Sequence, residues 1–417
     1  MTTPATAADA TGFKHVPWSQ QTNIYEVNVR QFTPEGTLKA FEAHLPRLQQ
    51  MGVNLLWFMP IQPIGQKERK GSLGSYYAIQ DYTAVNPEFG TLEDFRRIVA
   101  KAHALGMKVI LDWVANHTAW DHPWVDTHKE RYKLNDQGEV FSVTFNAGTP
   151  QVEYWTDVVG LNYQDPGLWL AMTDAMAWWL KEADIDGFRC DVASLVPTPF
   201  WEQARARLDR IKPVFMLAES DQVDLHAKAF DMSYDWDLFD QLRAIAKGRA
   251  AASALKAWWE RRQAKYPADA YRMNFTANHD SNSWHGSCKE FYGSEACFKA
   301  MAVLAATLPG VPLIYGGQEG FFDKRLAFFE KDLITWRDFP LAGFYAQLLA
   351  LKARHLALAN GPYGGTLRWL DTGSAAVVGF RREQGASRVA VHVNLTAQPQ
   401  RAGGTEWPAW GYTVRVD

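Results

Sequence analysis

Short apolar runs alternate with stretches of helical periodicity from about residue 22 to residue 358. The runs at residues 23–29, 53–59, 108–112, 185–191, 214–219, 230–234, 272–278 and 311–315 have strand length and read as strands. Between them, residues 38–50, 92–105, 168–182, 200–211 and 298–308 predict helices. In 168–182 the apolar positions Leu168, Met172, Ala175, Met176, Trp179 and Leu180 recur at helical spacing. Thr91 with Asp94 three residues on is close to a capping box, and Gly52 and Gly106 stand where helices end. Eight strands alternating with helices predict a parallel (β/α)8 barrel. A doubly wound sheet shares the alternation, but no Gly-rich phosphate loop follows the first strand.

Two stretches depart from the alternation. From Asp112 to Leu168 the chain is too long for one loop, and it carries turn signals at Asn135-Asp136-Gln137-Gly138 and Gly148-Thr149-Pro150. It reads as a small subdomain, residues 118–161, that leaves the barrel after strand 3. Beyond Leu358, alternation at 366–370, 375–381, 388–394 and 412–416, with turns at Asp371-Thr372-Gly373 and Glu383-Gln384-Gly385, predicts a C-terminal all-β domain. The predicted fold class is α/β: a (β/α)8 TIM barrel over residues 1–117 and 162–358, the inserted subdomain, and a β-sandwich-like domain over 359–417.

Composition narrows the function. With 47% hydrophobic residues in 417, a large core is available. A formal charge of −3 gives no electrostatic case for nucleic acid or an anionic membrane. The short run Lys67-Glu68-Arg69-Lys70 reads as a solvated loop. Met1 to Thr11 has no basic start and no apolar stretch, so it is not a signal peptide as written, and no apolar run reaches membrane-spanning length. The expected location is cytoplasmic, or secreted if a leader was removed. Three cysteines make no disulfide framework: Cys190 is expected in packing, and nothing demands that Cys288 and Cys297 pair. No Cys or His residues recur at zinc spacing. The 18 Trp suit a protein that stacks rings on sugar faces.

In such a barrel the active site lies at the C-terminal strand ends. Those ends carry Asp112 with Asn116-His117, Arg189 with Asp191, Glu219, and Asn278-His279-Asp280. Converging carboxylates repel and push at least one pKa upward. One ionised and one protonated carboxyl is what glycoside hydrolysis requires. Glu219 ends the apolar run Val214-Phe215-Met216-Leu217-Ala218, where burial favours a neutral general acid. Asp191 shares a strand face with Arg189 and is the better nucleophile.

Asp112-Trp113-Val114-Ala115-Asn116-His117, Gly187-Phe188-Arg189-Cys190-Asp191, Ala218-Glu219 and Asn278-His279-Asp280 resemble the four signature regions of the alpha-amylase family of glycoside hydrolases. Gly74-Ser75-Tyr76-Tyr77, Gly160-Leu161-Asn162-Tyr163 and Ile314-Tyr315-Gly316-Gly317-Gln318-Glu319 resemble further segments of that family, in order along the whole chain. The resemblance implies that Asp191 is the nucleophile, Glu219 the general acid and base, and Asp280 the residue that binds sugar hydroxyls and stabilises the transition state. It implies that His117 and His279 hydrogen-bond the sugar, Arg189 orients Asp191, Tyr77 stacks under the ring, and Asp112 braces the site. Asn116 matches a calcium-ligating position of many members, but Leu195 and Gly160 stand where those members place a His and an Asp. With two ligands missing, no metal is expected there, and no organic cofactor either.

The expected activity is a retaining hydrolase of alpha-glucosidic bonds in starch-type glucans, maltooligosaccharides or related oligosaccharides. The alternatives are a transglycosylase on the same scaffold and a non-catalytic sugar-binding member, against which the three retained carboxylates argue. Ser194-Leu195 replaces a Lys-His pair of many alpha-amylases; Val192 occurs in members that cut alpha-1,6 bonds, and Val192-Ala193 also resembles cyclodextrin-cleaving members. Linkage and endo or exo action are therefore not set by the motifs.

Overall fold

All eight predicted strands form, and they close on one another. In the computed structural model, which describes residues 11–417, they are Ile24–Val27, Leu55–Phe58, Lys108–Trp113, Gly187–Cys190, Phe215–Ala218, Met232–Tyr234, Tyr271–Phe275 and Val311–Tyr315. Residues 1–10, most of the stretch read above as lacking a leader, lie outside the described residues. Each strand pairs in parallel with the next, and the last pairs with the first, Ile24 opposite Leu313. Helices cover the outer face and side chains fill the inner one, which is why these strands are mostly apolar. Gly187 opens the fourth strand at φ 153°, where a β-carbon would sit 1.9 Å from the Phe215 carbonyl oxygen. Only glycine lets the fourth and fifth strands meet there.

The predicted helix over 38–50 is two pieces, Leu38–Glu42 and Leu45–Gln50, with Pro46 in the first turn of the second. Proline has no N–H to continue a helix, so it starts a new one. Leu92–Ala104 begins at the Thr91–Asp94 capping box. Pro166–Ala183 begins at Asp165, whose carboxylate accepts the N–H groups of Gly167 and Leu168. Trp236–Ala246, Ser253–Lys265 and Ala342–Arg354 are further helices of the outer ring.

After the third strand, His117–Ala119, Ser142–Phe145 and Glu153–Gly160 form a small antiparallel sheet with the longest strand central. The C-terminal region is a four-stranded antiparallel sheet, Thr366–Leu370, Val377–Gln384, Ser387–Asn394 and Tyr412–Val416 in that order, beside the hairpin Gln400–Ala402 and Thr405–Trp407. Two buried cations fasten it to the barrel. Arg382 donates to the carbonyls of Gly365 (2.8 Å) and Thr307 (3.1 Å), and Lys352 to Leu358 O and Asn360 Oδ1, both at 2.6 Å. Burial pushes Arg382 down to about 9 and Lys352 well below its usual value. Cys190, Cys288 and Cys297 are buried free thiols. Among the described residues no helix is long and apolar enough to cross a membrane.

Candidate active site

The C-terminal ends of the strands converge on one buried guanidinium. Arg189 Nη1 donates to Asp112 Oδ1 (2.9 Å) and Asp191 Oδ1 (3.1 Å), and Nε donates to the Tyr234 hydroxyl (3.1 Å). Nη2 lies 2.9 Å from Glu219 Oε2, an ion pair without hydrogen-bond alignment. Arg189 thus serves three carboxylates, where the sequence assigned it to Asp191 alone. Asp112 is fully buried, and its Oδ2 accepts from Trp57 Nε1 (3.1 Å) and the Tyr77 hydroxyl (3.0 Å). That is a bracing position beneath the cleft.

Glu219 Oε2 accepts the backbone N–H of Val192 at 2.7 Å. Val192 reaches it from the left-handed region, φ 36° and ψ 48°, a costly conformation for a β-branched residue. Burial and then the charge of Glu219 push the Asp191 carboxyl well above the usual range, against the pull of Arg189.

His279 links the two sides of the site. Its Nδ1 lies 2.5 Å from Glu26 Oε1, and its Nε2 lies 2.8 Å from the Tyr77 hydroxyl and 3.2 Å from Asp280 Oδ2. Burial opposes its charge, but Asp280 and Glu26 outweigh burial and raise it to about 9. As an imidazolium it donates from both nitrogens, which leaves the Tyr77 O–H to donate onward to Asp112. Burial raises the Asp280 carboxyl, with His279 pulling it back and Glu219 adding to the rise. His117 is the opposite case: burial lowers it to about 4, so the ring is neutral. Its Nδ1 accepts from the Asn116 amide at 3.1 Å, which leaves Nε2–H as its donor.

Above these groups lies a cleft of about 910 Å³. Tyr77, His117, Asp191, Glu219, His279 and Asp280 line it, and Arg189 and Asp112 sit beneath. The structure therefore brings together all eight residues singled out from the sequence. It adds Glu26, Trp57 and Tyr234 below the cleft and Trp155, Trp284 and Phe328 in its walls. Glu26 had a signal, a lone carboxylate in the apolar run Ile24-Tyr25-Glu26-Val27; the wall aromatics come from a strand of the inserted sheet (Trp155), a single helical turn (Trp284) and a loop (Phe328), none with a core-facing period. The run at 67–70 is not a solvated loop throughout. Lys70 lines the cleft and pairs with Asp157 at 3.0 Å, and Arg69 donates to the carbonyls of Gly65 and Ile64. Among the described residues, no three His, Cys, Asp or Glu side chains gather as a metal site, and neither Leu195 nor Gly160 offers a side-chain oxygen beside Asn116.

The catalytic-domain model of the alpha-amylase family matches residues 7–339. The chain is 29% identical over 401 residues to alpha-amylase MalA of Haloarcula japonica, covering 93% of this chain and 57% of that protein. It is 34% identical over 310 residues to the alpha-1,4-glucan:maltose-1-phosphate maltosyltransferase of Rhodospirillum rubrum, 69% of this chain and 42% of that one. With neopullulanase 2 of Thermoactinomyces vulgaris it shares 28% over 403 residues, 89% and 66%. The chain thus spans 42% to 66% of the length of these relatives. Among solved structures, an alpha-amylase from Lactobacillus plantarum superposes with a TM-score of 0.84 at 28% identity, over 95% of this chain and 99% of that one. A noncanonic maltogenic alpha-amylase, AmyB of Thermotoga neapolitana, superposes at 0.82 and 26% identity, over 95% and 96%. By its catalytic-domain match across most of its length, on a barrel of the same architecture, the chain belongs to the alpha-amylase family.

Proposed function

We propose that this chain is a retaining glycoside hydrolase of alpha-glucosidic bonds in starch-type glucans, maltooligosaccharides or related oligosaccharides. One observation carries the reading: Asp191 and Glu219 both meet the Arg189 guanidinium and both face the cleft, with Asp280 beside them. Two carboxyls on one guanidinium favour the short separation, about 5–5.5 Å, that a retaining mechanism needs. Asp191 attacks the anomeric carbon while Glu219 gives its proton to the departing glycosidic oxygen. Glu219 then takes a proton from water, the water oxygen attacks the same carbon, and Asp191 is released. The first step uses Asp191 as the carboxylate and Glu219 as the proton donor. Asp280, charged His279 and neutral His117 offer hydrogen bonds to the sugar hydroxyls, and Tyr77 offers a ring face.

A second reading, glycosyl transfer, is favoured by the 34% identity to a maltosyltransferase. The steps to the covalent intermediate are the same, and only the acceptor differs. A time course on maltoheptaose, isomaltooligosaccharides and cyclodextrin, with proton NMR of the first products, tests both. Early alpha-anomers, abolished in Asp191→Asn, support retention; longer or cyclic products at high oligosaccharide concentration favour transfer; early beta-anomers overturn both.

A further inference from the structure

The two ends of the cleft differ, and the chemistry says which sugar lies at each. This rests on the roles given above to Asp191 and Glu219. Glu219 protonates the leaving oxygen, so the leaving sugar lies on its side, past Val192, Ser194, Leu195 and Trp236. The sugar that joins Asp191 lies over Tyr77 and His279, and any sugars attached to it extend toward Phe328, Phe329 and Lys70.

That second end is walled. Phe328 stacks beside Tyr77 at 6.2 Å, and exposed Trp284 packs on both Phe328 and Phe329. The Leu73 N–H donates to Phe329 O at 3.0 Å, and the Ser72 N–H donates to Glu330 Oε1 at 2.9 Å. Gly71, at φ 62°, lets the segments touch: a β-carbon there would sit 2.5 Å from Phe329 Cβ. Lys70 carries the wall across to the inserted sheet, reaching Asp157 Oδ1 (3.0 Å) and Tyr154 O (3.3 Å). Buried anchors fix it from below. Arg30 donates to Leu73 O and Gly74 O, and Gln31 donates to Ala327 O and Glu330 O. At the other end Leu195 is 41% exposed and Ser194 is short, and no hydrogen bond or ion pair among the described residues ties either side chain across the cleft.

We infer that this wall confines the enzyme to the non-reducing ends of alpha-glucan chains, from which it releases glucose or maltose while the remaining chain leaves through the open end. Lys70 and Phe329 set the length of the released sugar.

The test compares maltoheptaose with the same sugar carrying an acetal across its non-reducing-end hydroxyls. Binding is read by calorimetry on Glu219→Gln, and cleavage on the wild type. The blocked sugar should bind about tenfold more weakly or worse, and the first product from free maltoheptaose should be glucose or maltose. Lys70→Ala and Phe329→Ala should narrow the discrimination to about threefold and lengthen the first product. Equal binding of both sugars, mid-chain cleavage by the wild type, or unchanged discrimination in both variants would overturn the inference. If the wild type cleaves neither sugar while Glu219→Gln still rejects the blocked end, the hydrolytic reading falls and the wall stands.

Discussion

Arg189 has to be planar as well as charged. Its nitrogens point to Asp112, Asp191, Glu219 and Tyr234 at once, which a lysine ammonium cannot do. Arg189→Lys should lower kcat by about 10²–10³-fold, the scale of losing one preorganised electrostatic group, with the loss read in kcat more than in KM. Circular dichroism distinguishes this from unfolding, since lysine keeps the charge but cannot reach all of its buried partners. The motif residues themselves are legible because the chemistry demands those residue types at strand ends. The sharing of Arg189 is not, because Glu219 comes from the neighbouring strand. His279 adds a pH signature. Its pKa rises from the usual 6.5 to about 9, so its contribution to stability is full below about pH 6.5 and is lost as pH climbs through about 9. The melting-temperature advantage of the wild type over His279→Gln should shrink across that window; a gap that stays constant to pH 10 removes the charged-histidine assignment.

At the scale of elements, the local signals that held are those with a complete local mechanism. The Thr91–Asp94 box forms as its spacing predicts, with the Asp94 N–H donating to Thr91 Oγ1 and the Thr91 N–H donating to Asp94 Oδ2. The Thr91 hydroxyl, which donates to Asp94 Oδ2 at 2.7 Å, and then the Thr91 N–H hold the Asp94 carboxyl below its usual range. Thr91→Ala should cost about 1 kcal/mol in urea unfolding at neutral pH and leave kcat unchanged, since the helix lies on the outer ring. The sign of the linkage follows from the lowered pKa: the capping contribution is present above the ordinary carboxyl range and is lost as pH falls through the folded value. Pro46 carried an equally local signal, and it divides the helix that hydrophobic periodicity alone runs straight through. Periodicity reports which face is buried; it does not report where the backbone loses a donor.

At the scale of the whole molecule, the barrel was legible because alternation of strands and helices permits few closed arrangements, whereas the cleft wall was not. Leu73 with Phe329 and Lys70 with Asp157 join loops that are distant in sequence, and such contacts leave no periodic trace. The junction of barrel and tail is of the same kind. Arg382 arrives from the second strand of the tail sheet and meets Thr307 O at the C-terminal end of the helix Glu295–Thr307, as well as Gly365 O. Lys352, from the helix Ala342–Arg354, meets Gly310 O just before the eighth barrel strand. Among the described residues no carboxylate pairs with either side chain, so neutral oxygens, backbone carbonyls and the Asn360 amide, offset their desolvation. Arg382→Ala strands several of those carbonyls without donors, at about 1–3 kcal/mol each, and should lower unfolding stability by about 3 kcal/mol. Because the junction lies at the N-terminal end of the eighth strand, opposite the cleft, kcat at 25 °C should stay within about twofold of the wild type. Thermal melts and initial rates on one preparation decide the matter: an unshifted melt would show the buried cation dispensable to the junction, and a collapse of kcat in a folded protein would mean that the tail reaches the site.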